Sequence, residues 1–107
     1  MPYPVVPNFP IAVMNESFLY NNITTNTTTT VKSGAGTLHW CTVNTAPTGT
    51  GQSITIYDST TASGTKIGTH TSPVQGAVYE YDIAFTNGLT IVTASGTLPG
   101  DFTISYR

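Results

Sequence analysis

The sequence predicts a single all-β domain, a β-sandwich of jelly-roll or immunoglobulin-like kind with about seven or eight antiparallel strands. Charged residues make up only 7% of the 107 residues, and about a fifth of the chain is threonine, a β-branched residue that favours strands over helices. From Thr29 onward, apolar and polar residues alternate with period two between Gly, Pro and Asn turn signals. A chain of this length has room for one such sandwich.

The alternating segments define the strands. We expect them at 29–32, 37–44, 52–58, 66–71, 77–85, 89–95 and 101–106, and the segment 17–20 is also compatible with strand pairing. Between Phe85 and Leu89, the pair Asn87-Gly88 predicts a type I′ hairpin, because both residues tolerate positive φ.

One face of each strand is expected to form the core. In 77–85, period two places Tyr79 and Phe85 on one side and Glu80 and Asp82 on the other. The residues that the same rule assigns to the core are Leu38, Trp40, Ile54, Ile56, Tyr79, Tyr81, Ile83, Phe85, Leu89, Ile91, Phe102 and Ile104.

The chain divides into an extended arm with an Asn/Thr-rich linker, 1–26, and the sandwich, 27–107. Prolines in the arm exclude a helix and disfavour a central strand, yet the arm is too apolar for a simple disordered tail. The sequence leaves three alternatives open for the arm: it packs on its own domain, it docks on a neighbouring subunit, or it moves freely. The docking alternative assigns capsid or subunit contacts to Pro2, Tyr3, Pro4, Val5, Val6, Pro7, Phe9, Pro10 and Ile11.

Several function classes are disfavoured by composition. Three cations and a net charge of −2 argue against nucleic-acid binding, and the longest apolar stretch is far too short to cross a membrane. Glu80 and Asp82 share a strand face, which is typical of a solvated surface more than of an acid–base pair. His39, His70 and Cys41 lack a metal-ligand pattern, so we expect no catalytic residue, metal or cofactor.

Five segments resemble small bacteriophage virion-associated proteins. They are 27–39 (TTTTVKSGAGTLH), 54–58 (ITIYD) with 62–67 (ASGTKI), 81–93 (YDIAFTNGLTIVT) and 102–107 (FTISYR), within about three quarters of the chain. Among named classes, the chain is most similar to head decoration, or cement, proteins. This resemblance implies a non-enzymatic protein that binds the outer surface of a capsid lattice on the virion, with the major capsid protein as partner and as a homo-oligomer, dimer or trimer.

Two alternative functions remain at this point. The first is a carbohydrate-binding tip or module of a phage fibre or spike, because an exposed aromatic ring near amides and carboxylates suits a sugar. Its contacts would be Tyr57, Asp58 and Gln75. The second alternative is a structural component of the tail or baseplate.

Overall fold

The computed structural model describes residues 17–94 and 97–107, which form two antiparallel sheets packed face to face. The predicted arm contacts, 2–11, lie outside the described residues. No helix of the described chain is long and apolar enough to span a membrane. The strands are β1 (Leu19–Ile23), β2 (Thr28–Ser33), β3 (Gly36–Thr45), β4 (Ser53–Asp58), β5 (Thr65–Thr71), β6 (Val78–Phe85), β7 (Gly88–Ala94) and β8 (Asp101–Tyr106).

The strand order is that of a jelly roll. Sheet A has the order β1-β8-β3-β6, and sheet B has the order β2-β7-β4-β5. The chain crosses between the sheets at almost every connection, and only β4 and β5 are neighbours in both sequence and sheet. This order confirms the predicted β-sandwich and selects the jelly roll over the immunoglobulin-like alternative.

The core lies between the two sheets and contains eight of the predicted residues. Tyr79 and Tyr81 are partly buried against it. Three core residues were not predicted: Ile23, Cys41 and Val43. The eight predicted residues that are buried are Leu38, Ile54, Ile56, Phe85, Leu89, Ile91, Phe102 and Ile104.

The core assignments of Trp40 and Ile83 are wrong, since both side chains are 39% exposed. In β3, Leu38 lies opposite Tyr106 and Trp40 lies opposite Ser105, so His39 is an extra residue relative to β8. This β-bulge shifts the phase of the alternation: Leu38 faces the core and Trp40 faces outward. Ile83 lies opposite Leu38, but on β6, at the edge of sheet A, where little covers it.

The predicted hairpin at Asn87-Gly88 is also absent. Strands β6 and β7 belong to different sheets, so the connection between them crosses the sandwich. Neither Asn87 nor Gly88 has positive φ. A Cβ at Gly88 would come within 3.0 Å of the Ser59 and Lys32 carbonyl oxygens. Close packing, rather than a left-handed turn, therefore requires glycine at this position.

The sandwich begins earlier than 27. Strand β1 lies inside the segment that the sequence assigned to the arm and linker, and all five of its residues pair with β8 in regular register. Ile23, at its end, is buried in the core. Strand β1 is thus part of the sandwich.

Candidate interaction surface on sheet A

Exposed large hydrophobic side chains are distributed unequally between the two sheets. Among the described residues, six lie on strands of sheet A or directly before β1, two lie in loops (Val74 and Leu98), and none lies on a strand of sheet B. Leu19 and Ile83 lie on the core side of the two edge strands, and the other four lie on the outer face of sheet A. Exposed apolar side chains gathered on one face are characteristic of interaction sites. The six are Phe18, Leu19, Tyr20, Trp40, Val78 and Ile83.

Four side chains on the outer face of sheet A stack into a line, here called the aromatic row: Arg107, Phe18, His39 and Trp40. The Arg107 guanidinium lies 4.8 Å from the centre of the Phe18 ring. Phe18 stacks on His39 with centroids 4.0 Å apart, and His39 stacks on Trp40 at 4.7 Å. The rings are nearly parallel, at 10° and 16°. Such contacts hold the rings in defined orientations before any partner binds.

Two carboxylates of β6 fix the aromatic row from the side. The His39 Nδ1 atom is paired with the Asp82 carboxylate, and the Trp40 Nε1–H donates to Glu80 Oε2 at 3.2 Å. Asp82 lies across from the bulge at His39 and has a φ of 51°, in the left-handed region. The backbone of β6 therefore departs from regular strand geometry at this residue. Both carboxylates are exposed, as expected of a solvated face, and each also holds a ring of the row.

Tyr20 and Trp40 stand on either side of a small residue. Tyr20 lies opposite Ser105 on β8, and Ser105 lies opposite Trp40 on β3. With strands about 4.8 Å apart, the two aromatic residues are separated by roughly 10 Å across the sheet. No pocket is formed by residues 17–94 and 97–107, so these rings lie on an open face.

Beside the rings lies a group of polar side chains, here called the amide cluster: Asn22, Asn44, Asp101 and Thr103. Asn22 Nδ2 donates to Asp101 Oδ1 at 2.6 Å, and Asn44 Nδ2 donates to the same oxygen at 3.1 Å and to Thr103 Oγ1 at 2.9 Å. Asn22, and then Asn44, hold the pKa of Asp101 below its ordinary value. The Asp101 carboxylate therefore accepts hydrogen bonds from both amides at neutral and at mildly acidic pH.

The three residues predicted to contact a sugar do not converge. Asp58 Oδ1 accepts hydrogen bonds from the backbone N–H of Asn87 at 2.8 Å and of Thr86 at 3.1 Å. These bonds lower the pKa of Asp58 and occupy its carboxylate in holding the β6–β7 connection. Tyr57 is half-buried at this end of β4, whereas Gln75 follows β5 and lies toward the other end.

Cys41 and His70, the other two residues considered as metal ligands, lie away from the aromatic row, in the core and on β5 of sheet B. Burial raises the pKa of Cys41 to about 12, and the bulge puts Cys41 and His39 on different faces. His70 Nε2 lies 2.6 Å from the Tyr81 hydroxyl, and its ring stacks on Tyr79 at 3.6 Å. Burial lowers the pKa of His70. Within the described parts of the chain, no three His, Cys, Asp or Glu side chains are grouped to hold a metal ion.

The aromatic row was not predicted from the sequence, because regular alternation in β3 placed Trp40 in the core. A signal was present: Cys41 and Val43 alternate with the polar Thr42 and Asn44. With Cys41 and Val43 in the core, Trp40 falls on the outside. The contact of Phe18 with His39 joins residues far apart in the sequence and leaves no local pattern.

No family model and no curated protein matches this chain. A solved structure that aligns with this chain is that of Bacillus endospore appendages, described as "a novel family of disulfide-linked pili". It shares 15% sequence identity with this chain at a TM-score of 0.47, over 84% of this chain and 86% of the pilus chain.

Proposed function

We propose that this chain is a non-enzymatic structural protein that binds the outer surface of a virion capsid lattice through the outer face of sheet A and stabilises that lattice. One observation carries the proposal: in residues 17–94 and 97–107, four exposed large hydrophobic side chains lie on the outer face of sheet A, and none lies on a strand of sheet B. A protein that lies against a shell needs one adhesive face, and the opposite face remains in solvent.

The composition of the face supports binding to protein. Trp, Tyr and Arg dominate the energetics of protein interfaces, and Trp40, Tyr20 and Arg107 lie together on sheet A. Because the rings are already stacked, little side-chain freedom is lost when they contact a partner. The outer face of sheet B instead presents a row of Thr28, Val92, Thr55 and Thr69.

The capsid as partner rests on the resemblance to decoration proteins, and the arm supplies the second contact. Residues 2–11 precede Phe18, which joins the aromatic row, so a contact of the arm with a neighbouring capsomer would be linked through the chain to the face that binds the shell. Two linked contacts raise the overall affinity through effective concentration. Many weakly bound copies then stabilise a shell together.

Co-sedimentation with shells of the virion's major capsid protein tests the proposal. We expect saturable binding at a fixed ratio to the capsid protein. Trp40→Ala should weaken binding by about 30-fold or more, as for an interface hot spot of about 2 kcal/mol. The matched control, Tyr57→Ala, changes an aromatic residue of sheet B and should bind as the parent chain does.

Other outcomes point elsewhere. Equal binding by Trp40→Ala and the parent chain would contradict the use of sheet A. Absence of binding to shells, with a few copies per particle found at the tail, would favour the tail or baseplate component. A chain with 2–11 replaced by Gly and Ser leaves β1 intact and tests the arm alone, and equal binding by this variant would remove the arm from the proposal.

A carbohydrate-binding module is the second candidate, and the proximity of the amide cluster to Tyr20 and Trp40 favours it. Sugars bind to exposed aromatic faces with amide and carboxylate groups at their hydroxyls, and both kinds of group meet on sheet A. A glycan array checks this candidate. A signal that Trp40→Ala abolishes and Tyr57→Ala preserves would support it at this site, whereas the reverse would place sugar binding at Tyr57.

A further inference from the structure

We infer that two copies of this chain associate through β1, which pairs with β1 of the second copy in antiparallel fashion about a two-fold axis. The two A sheets then form one continuous sheet of eight strands. This inference goes beyond the proposed function, because it requires no shell. It follows from a comparison of the four edge strands of the sandwich.

Three of the four edge strands are protected against pairing. Unpaired backbone groups at a sheet edge attract further strands, and proteins block them with charges and bulges. Strand β2 carries Lys32 and an irregular register beside it. Strand β5 carries Lys66, with an irregular register between Lys66 and Gly68. Strand β6 carries Glu80 and Asp82, and its backbone deviates at Asp82.

Strand β1 has none of these protections. Its sequence, Leu-Tyr-Asn-Asn-Ile, contains no charge and no proline. Its register with β8 is regular over all five residues. Within residues 17–94 and 97–107, no strand pairs with its outer side, which therefore presents an uncharged row of backbone groups next to Leu19 and Tyr20, 60% and 74% exposed.

Because β1 carries no charged residue, the strand that best fits its free edge is β1 of a second copy. When identical strands pair antiparallel, each strand meets its own charges, so self-pairing of β2 or β5 would bring lysines together and self-pairing of β6 would bring carboxylates together. Self-pairing of β1 brings no like charges together. The contact is isologous and closes at two copies, which leaves only the protected edges exposed.

The pairing also covers apolar surface. With the axis through Asn21, Leu19 lies opposite Ile23 of the second copy on the core side, and Tyr20 lies opposite Asn22 on the outer side. Leu19 then loses much of its exposure. The aromatic rows of both copies come to lie on one side of the joined sheet, so a dimer would present a doubled contact surface.

Sedimentation and hydrogen exchange on the purified full chain test the inference. We expect a dimer that dissociates on dilution, with backbone amides of Leu19–Ile23 that lose protection as the dimer dissociates. The amides of the other edge strands should not change. A monomer at all concentrations would overturn the inference. Concentration-independent protection of 19–23 in a monomer would also overturn it, because the preceding residues of the same chain would then occupy the edge.

Charge variants give a second readout. Tyr20→Lys alters a side chain that is 74% exposed, so the fold should persist. It places two lysines near the axis and should abolish the dimer at low salt, and 1 M salt should restore it because the Debye length falls to about 3 Å. Thr69→Lys on β5 adds the same charge at a protected edge and should leave the dimer intact. Dimerisation of Tyr20→Lys at low salt, or equal disruption by Thr69→Lys, would contradict pairing through β1.

Both tests use the pure protein without shells. Their failure would therefore leave binding to a capsid lattice open, and a failure of shell binding would leave the dimer open.

Discussion

Asp58 shows how one side chain can determine a connection between sheets. Its carboxylate lies at the end of β4 and accepts backbone hydrogen bonds from residues that leave β6. Sequence alone suggested a sugar contact, since an acid beside Tyr57 has the right chemistry. The long-range partner of Asp58 is a backbone segment, which has no sequence signature, so its structural role could not be predicted.

We expect Asp58→Asn to lower the midpoint of thermal unfolding at pH 7, because the amide replaces a charged acceptor of several N–H groups. The folded pKa of Asp58 is lowered by its backbone hydrogen bonds. Its contribution to stability is therefore present above the unfolded pKa and lost as pH falls through the folded pKa. Thermal unfolding at several pH values checks this prediction. A difference between parent and variant that is as large in strong acid as at pH 7 would contradict it.

The free thiol of Cys41 is buried in the core. Burial raises its pKa to about 12, so the thiol stays protonated and inaccessible in the folded protein. A thiol reagent at pH 8 should modify Cys41 only as fast as the protein unfolds, with a rate that rises with urea. The control is Cys41→Ala combined with Thr69→Cys, which places the thiol on an exposed strand and should react at once. Immediate reaction of native Cys41 would show that the site opens without unfolding.

At the scale of the element, β3 shows why strand existence was predictable and strand phase was not. Alternation identified a strand across 37–44, close to the observed Gly36–Thr45. The bulge at His39 adds one residue, and every side chain beyond it changes face. Because tryptophan is large and aromatic, regular alternation placed Trp40 in the core together with Leu38. The same bulge places His39 and Trp40 in the aromatic row.

Two substitutions on β3 test whether the side chains of Leu38 and Trp40 point to opposite faces of sheet A. Leu38→Ala removes a fully buried side chain and should reduce the free energy of unfolding by about 2–5 kcal/mol. Trp40→Ala removes a larger side chain from the outer face, so it should cost clearly less. Urea denaturation of both variants gives the comparison. A larger loss for Trp40→Ala would return Trp40 to the core.

For the whole molecule, the sequence predicts a β-sandwich of either jelly-roll or immunoglobulin-like kind. The observed strand order is that of the jelly roll. Strand number and spacing follow from turn signals and alternation. Strand order depends on which edges meet in three dimensions, and a single sequence does not record it. The site was less predictable than the fold, because its residues come from β1, β3, β6 and β8 and meet only through the order of sheet A.

The topology also predicts slow folding. Among the eight described strands, only β4 and β5 form a local hairpin, and the other pairings join distant segments. Folds with mainly non-local pairing reach the native state in about milliseconds to seconds. Stopped-flow refolding, followed by the fluorescence of Trp40, the only tryptophan, measures the rate. Complete refolding within microseconds would contradict this expectation.

The two lysines have a practical consequence. Lys32 and Lys66 are the only lysines in the chain, and both lie on the edges of sheet B. Lys66 is exposed, whereas Lys32 is partly buried with its Cε beside Gly36 of β3. A reagent that couples to side-chain amines therefore reacts first at Lys66 and attaches a label, a bead or a sensor chip at the β5 edge of sheet B. Immobilised in this way, the protein turns the aromatic row toward the solution, where a candidate partner can reach it.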